Sequence, residues 1–265
     1  MCGGSNWQEI VTLDRAVGRY TVYRCRDCSL DFLWPLPSQE ASAKLYDLNY
    51  YNEGYLVHEA DRSRQFANLL DKMSATAIQG PILDVGCGTG MFLALARQRG
   101  FQGYGIEPSQ AGRTIARQRY GLEVAASLSD LSGKRFRTAT LWMVLAAVTD
   151  PRALLRSVSN VLEESGRVIM SFNNWNDPQF RVAMLQAKYR QLNTIHVPTI
   201  IWRFTEEHLV LLAAQAGLTV ERFTYERRPI PLKVGWKGRL LEKGFAFQRS
   251  LTHKEEELHA WCRKS

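Results

Sequence analysis

The spacing of apolar positions changes along this chain. Near its start "YTVYRC" alternates like a half-buried strand, "RDCSL" turns, and "DFLWPLP" runs as an extension broken by proline. "SQEASAKLYDLNYY" reads as a helix, with Ser38 placed as N-cap and Glu40 in its first turn. From Glu59 the spacing becomes helical, with Phe66, Leu69, Leu70 and Met73 on one face of "EADRSRQFANLLDKMSATAI". Short apolar runs then alternate with helical patterns. "PILDVG", "GYGIE", "LEVAA", "TATLWMVLA", "RVIMSFN" and "LTVERFTYE" read as strands. "GMFLALARQRG", "PSQAGRTIARQRYG", "DPRALLRSVSNVLEESG" and "TEEHLVLLAAQAG" read as helices between them. Pro108 starts and Gly121 ends the second of these, Asp150 caps the third ahead of Pro151, and Thr205 caps the fourth. Glu206 and Glu207 then fall in a first turn, where their charge suits the helix dipole.

Apolar strands alternating with helices predict an α/β fold with a parallel sheet covered on both faces. Ligands of such sheets bind beyond the carboxyl ends of the strands. The expected organisation is a ribbon-like N-terminal segment over 1–36, a helical lid over 37–80, a core over 81–225 and a basic segment over 226–265.

Composition narrows the class. The 265 residues, 45% apolar and 23% charged, suit an ordinary globular protein. No apolar run approaches the roughly 20 residues that span a bilayer. The N-terminus lacks a basic region followed by an apolar core, so a cytoplasmic location is expected. Five cysteines, an odd number, do not suggest a disulfide scaffold. The net charge of +8 admits an anionic partner, and part of the excess is local, with eight Lys or Arg from Arg222 to Arg249 against Glu226 and Glu242.

The stretch "ILDVGCGTG" carries the chemistry. Gly86, Gly88 and Gly90 follow a strand at alternate positions. A phosphate loop would need a Lys after the glycines, and a dinucleotide fingerprint would need G-x-G-x-x-G; neither is present. Asp84, two residues before the first glycine, would repel a pyrophosphate and attract a cationic ligand. S-adenosylmethionine, a nucleoside bearing a sulfonium and an ammonium, fits. Glu107 ends the next strand, where a carboxylate can accept from both hydroxyls of a ribose.

These stretches, with "GYGIEPS" and "LWMVLAAVTDPRALLRSVSNVLEESGRVIMSFNN", resemble the class I S-adenosylmethionine-dependent methyltransferases, in particular a small-molecule branch with an N-terminal cysteine ribbon. The resemblance covers roughly Tyr20 to Tyr225. It implies a Rossmann-like, seven-stranded, mostly parallel sheet whose last strand is antiparallel. It places Asp84, Gly86, Cys87, Gly88 and Gly90 along the methionine moiety, Glu107 on the ribose, and Ser127 and Leu128 by the adenine. Trp142 and Met143 would face the sulfonium, and Tyr51 would close over the cofactor.

The chain departs from the family where an acid and a histidine often follow the fourth strand; here "VLAAVTDP" has Ala146 and Ala147. Alanine cannot accept a proton. Either alignment supports transfer, with a base from elsewhere or none, or the protein binds the cofactor without chemistry. His196, in the segment that covers the acceptor pocket in this family, is the candidate catalytic residue. His208 is expected to be solvated, His58 lies near the lid, and His253 and His259 fall in a charged tail.

Cys25 and Cys28 form C-x-x-C, and Cys2 precedes them, a set one ligand short of a structural zinc site. Cys262 reads as a tail thiol. "RRPIPLKVGWKGRLLEKGFAFQR" mixes cations with aromatics. It suits an anionic membrane surface or an anionic substrate, or else the solvated face of a final helix and strand. No RNA-binding module is evident, which leaves an RNA methyltransferase behind one that acts on a small molecule, a sugar or other specialised metabolite, at O, N or C.

Overall fold

A computed structural model describes residues 2–75, 80–190, 195–226 and 257–265. Two sheets organise it. The smaller is antiparallel, in the order β1 (Trp7–Arg15), β2 (Gly18–Cys25), β3 (Asp31–Trp34) and β8 (Trp202–Arg203). The larger runs β5 (Gly103–Ile106), β4 (Ile82–Val85), β6 (Phe136–Trp142), β7 (Leu162–Asn173), β10 (Glu257–Lys264), β9 (Leu218–Glu226). β5, β4, β6 and β7 are parallel, and β10 runs antiparallel to both β7 and β9.

Among the described residues the sheet has six strands, where seven are expected. "LEVAA" supplies a single parallel bridge, Ile106 to Ala125, and no strand. The antiparallel member is the C-terminal stretch that reads as a charged tail. Residues 257–262 of β10 are buried, because this strand is flanked by β7 and β9. Cys262 is accordingly a fully buried core thiol. The core sheet therefore reaches past 226 to take in part of the expected basic segment, while the stretch 227–256, with His253 and most of the basic residues, lies outside the described residues.

Helices follow their caps. Ser38 Oγ accepts from the Ala41 amide at the start of α1 (Gln39–Leu45), and Asp150 Oδ1 from the Ala153 amide at the start of α5 (Pro151–Val161). In α2 (Glu59–Ala75) the side chains of Phe66, Leu69, Leu70 and Met73 pack on α3 (Met91–Gln98) and the sheet. α4 (Gln110–Tyr120) ends on Gly121 in the left-handed conformation. α6 (Pro178–Arg190) and β1 were not legible in the pattern. They share a core of Val11, Leu13, Val22, Leu33 and Ala187 that seats the small sheet on the rest of the molecule.

α7 (Glu206–Gln215) corrects one expectation. His208 is not solvated: it is buried, its Nδ1 completes a capping box with Thr205, and its Nε2 lies 2.8 Å from the Cys28 carbonyl oxygen. It ties the cysteine turn to the core. Among the described residues, no helix is long and apolar enough to cross a membrane.

Candidate active site

β4 lies where the strand order reverses, between β5 and β6, and the glycine turn leaves its carboxyl end. Gly86, Gly88 and Gly90 all have positive φ. At Gly86, φ is 68° and a Cβ would sit 2.6 Å from Val144 Cγ2, so the turn demands glycine on two counts.

Asp84 is fully buried under this turn. Its Oδ1 accepts from Thr140 Oγ1 at 2.7 Å, and its Oδ2 has no hydrogen-bond partner among the described residues. Burial drives its pKa up to about 8, against the pull of Thr140 and with help from the Glu107 charge. Glu107 is also buried, yet better satisfied. Its Oε2 accepts from the Gly88 amide and its Oε1 from the Ser109 amide, both at 2.8 Å, and Tyr51 donates to it. Burial raises its pKa as well, and these donors with Arg113 hold it back. Burial, with the nearby Asp84 and Glu107 charges, also pushes the Cys87 thiol well up, so it is a packing residue and no thiolate.

These groups open into a cavity of about 1070 Å³, large enough for a nucleoside ligand and a second small molecule together. Tyr51, Asp84, Gly86, Cys87, Gly88, Glu107, Trp142 and Met143, which the sequence reading singles out, are brought together in its lining. Tyr51 belongs to a π-helical turn, Tyr50–Tyr55, between α1 and α2. Met143 terminates β6 at φ 61°, with its amide held by Ser171 Oγ at 3.1 Å. Trp142 packs on Phe66 and Phe92, and its Nε1 lacks a partner among the described residues.

Four expected positions fall elsewhere. Gly90 caps α3 and abuts Ala116 and Leu122; it shapes the turn without lining the cavity. Ser127 caps a short 3-10 turn through Asp130, and Leu128 packs on the core. His196 is exposed at φ 52°, starts a turn through its carbonyl, and does not line the cavity. Ala146 is buried, with its carbonyl taking the Ile201 and Trp202 amides, while Ala147 lines the cavity. The small sheet thus docks on the very stretch where the acid and histidine are missing.

Several lining residues were missed from sequence: Tyr46, Arg62, Ser171, Glu226, Glu257 and His259. The last two sit on β10, whose charged flank hid its alternation of Leu258, Ala260 and Cys262 on one face with Glu257, His259 and Trp261 on the other.

Around the turn that joins β2 to β3, the Cys2, Cys25 and Cys28 sulfurs all lie within 4.8 Å of one another, with Cys2 Sγ and Cys25 Sγ 3.5 Å apart.

A parallel sheet with a glycine turn, a buried acid before it and a second acid ending the next strand defines a nucleoside-binding α/β enzyme fold. Comparison with known proteins gives its family. A family model described as a methyltransferase domain matches residues 58–222. The chain belongs to this family, the class I S-adenosylmethionine-dependent methyltransferases. A ubiquinone biosynthesis O-methyltransferase of Alkalilimnicola ehrlichii is 32% identical over 118 residues, 41% of this chain and 47% of that one. One of Dinoroseobacter shibae is 29% identical over 147 residues, 52% of this chain and 59% of that one. The chain spans about half the length of the curated relatives it matches. Among solved structures, magnesium protoporphyrin IX methyltransferase from Synechocystis PCC 6803, with bound S-adenosylhomocysteine, superposes at a TM-score of 0.60 and 12% identity, covering 86% of this chain and all of that one. A methyltransferase from Archaeoglobus fulgidus superposes at 0.54 and 16% identity, covering 79% of this chain and 99% of that one.

Proposed function

We propose that this protein transfers a methyl group from S-adenosylmethionine to a small-molecule acceptor, with oxygen as the favoured receiving atom. The observation that carries the reading is Asp84, a fully buried carboxylate with one oxygen unpartnered beside the glycine turn. A buried acceptor of this kind is costly unless a ligand satisfies it, and an ammonium would. Glu107, already taking two backbone amides, would receive the ribose hydroxyls, and Tyr51 would cover them. Trp142 and Met143 would bound the sulfur side, facing the part of the cavity left for the acceptor. The donor supplies an electrophilic methyl group on a cationic sulfur. The protein's part is to hold that carbon in line with the acceptor atom and to exclude water. Oxygen is favoured because the curated relatives are named O-methyltransferases.

The second reading is cofactor binding without transfer, favoured by Ala146 and Ala147 where proton-handling groups often stand. Two measurements separate the readings. Calorimetry with S-adenosylhomocysteine tests what they share, and absence of binding sinks both. Transfer of radiolabel from S-adenosylmethionine to a panel of small phenols and hydroxylated metabolites favours the first. An RNA acceptor, the third class, predicts salt-dependent RNA binding; none at low salt removes it.

The three clustered thiols suit zinc, and Cys2, Cys25 and Cys28 would hold it as thiolates. The Asp27 carboxylate, whose Oδ2 lies 4.0 Å from Cys25 Sγ, is the near candidate for a fourth ligand. The metal would brace the small sheet, since Cys25 ends β2 and Cys28 lies in the turn that leads to β3.

A further inference from the structure

The last core strand carries a pair of groups that the methyl-transfer reading leaves unused. Glu257 and His259 lie two residues apart on β10, so their side chains share one face. His259 Nε2 stands 3.1 Å from Glu257 Oε1, and both side chains are buried. The strand ladder sets His259 opposite Ser171 and Ser171 opposite Trp142. The His259 and Trp142 rings meet edge-on with centroids 6.1 Å apart. Both line the cavity that Asp84, Gly86 and Glu107 also line.

The hydrogen-bond pattern gives the pair a direction. A carboxylate can only accept, so Nε2 carries the proton it donates to Glu257. The lone pair is then on Nδ1, a buried atom with no hydrogen-bond partner among the described residues, a cost that an O–H donated to it from the cavity would relieve. An imidazole with one nitrogen fixed by a carboxylate and the other left unsatisfied is an oriented base.

We propose that His259 is the general base of methyl transfer and that Glu257 is its positioning residue; the proposal rests on the methyl-transfer reading. The donor is consumed in each turnover and is therefore a substrate. The acceptor's O–H proton passes to His259 Nδ1. An oxygen lone pair forms the new O–C bond to the methyl carbon. The C–S bond breaks with its electron pair returning to sulfur, which becomes a neutral thioether. The positive charge leaves sulfur and appears on the imidazolium, where the Glu257 carboxylate meets it. The base thus comes from β10, on the other side of Ser171 from "VLAAV", where alanines supply none. Other charged groups lining the cavity include Glu226 on β9, the strand partner of Glu257, and Arg62 on α2; Lys72 on α2 pairs with Glu226, Nζ to Oε1 at 3.0 Å.

The test needs no identified acceptor. The full chain is labelled with ¹⁵N-histidine, and the His259 ring nitrogens are followed by NMR at one pH with saturating S-adenosylmethionine and, separately, S-adenosylhomocysteine. The two differ by the methyl group and the sulfonium charge. With Nε2 donating to Glu257, the ring should be the Nε2–H tautomer, and a cation beside its acceptor nitrogen should move the Nδ1 resonance between the two ligands at one fixed pH. Glu257→Gln should change the tautomer ratio with either ligand. Identical His259 ring resonances with both ligands bound overturn the proposal, as does a ring that carries its proton on Nδ1 alone. Failure of either ligand to bind in calorimetry overturns the methyl-transfer reading instead. His259→Asn assigns the resonance; if it does not fold, substituting the other four histidines assigns it by elimination.

Discussion

The Glu107 carboxylate accepts the Gly88 amide at 2.8 Å, joining the end of β5 to the glycine turn that follows β4. One side chain thereby shapes the turn and presents its remaining lone pairs to the cavity. Replacing it removes charge-assisted hydrogen bonds worth about 1.5–3 kcal/mol each. Glu107→Ala is expected to weaken S-adenosylhomocysteine binding about tenfold to a hundredfold by calorimetry. Wild-type affinity would remove Glu107 from the ribose.

Asp84 predicts a proton coupled to binding. Its pKa of about 8 lies above the roughly 3.9 of an unfolded Asp, so the native state holds the extra proton between those values. Its contribution to stability is therefore full below about pH 4 and is lost as pH rises through about 8. Asp84→Asn, which cannot ionise, should flatten that decline in melting temperature. A cationic ligand should pull the proton off. Calorimetry of S-adenosylhomocysteine at pH 7 in buffers of different ionisation enthalpy should show proton release, and Asp84→Asn should abolish it. Identical heats in all buffers for the native chain would contradict the pairing.

Gly112 offers a steric test. It sits in the first turn of α4, and a Cβ there would stand 2.9 Å from Glu107 Cγ, 2.9 Å from Tyr51 Oη and 3.1 Å from the Gly88 carbonyl oxygen. In an open helix Gly→Ala stabilises by up to about 1 kcal/mol. Here Gly112→Ala should displace Glu107 and Tyr51 and cut cofactor affinity at least about tenfold. Unchanged affinity would show that the three neighbours are not fixed by the ligand they are proposed to hold.

The thiol cluster predicts a metal. Purified protein should carry about one zinc per chain by mass spectrometry, and Cys25→Ser should lose it and lower the melting temperature. Metal-free native protein with the same melting temperature as Cys25→Ser would reduce the cluster to three neighbouring thiols.

How much was legible follows from the range of each interaction. The helix caps, the apolar face of α2 and the glycine turn are local: a side chain meets its own backbone a few residues away, so Ser38, Asp150 and Gly86 announce themselves by type and spacing. Asp84 and Glu107 stand out in the sequence for the same reason, since each lies by the carboxyl end of a strand beside a recognisable turn. "LEVAA" has strand composition, yet it pairs only through the Ile106–Ala125 bridge, because pairing depends on a neighbour the local pattern does not contain. β10 erred in the other direction: its charged flank resembles a tail, and only its place between β7 and β9 buries it. Segment order alone thus determined the α/β class and the position of the glycine turn. The tertiary structure decided which histidine shares the cavity, setting His259 beside Trp142 and leaving His196 in solvent, because strand register brings together residues that chain spacing keeps far apart.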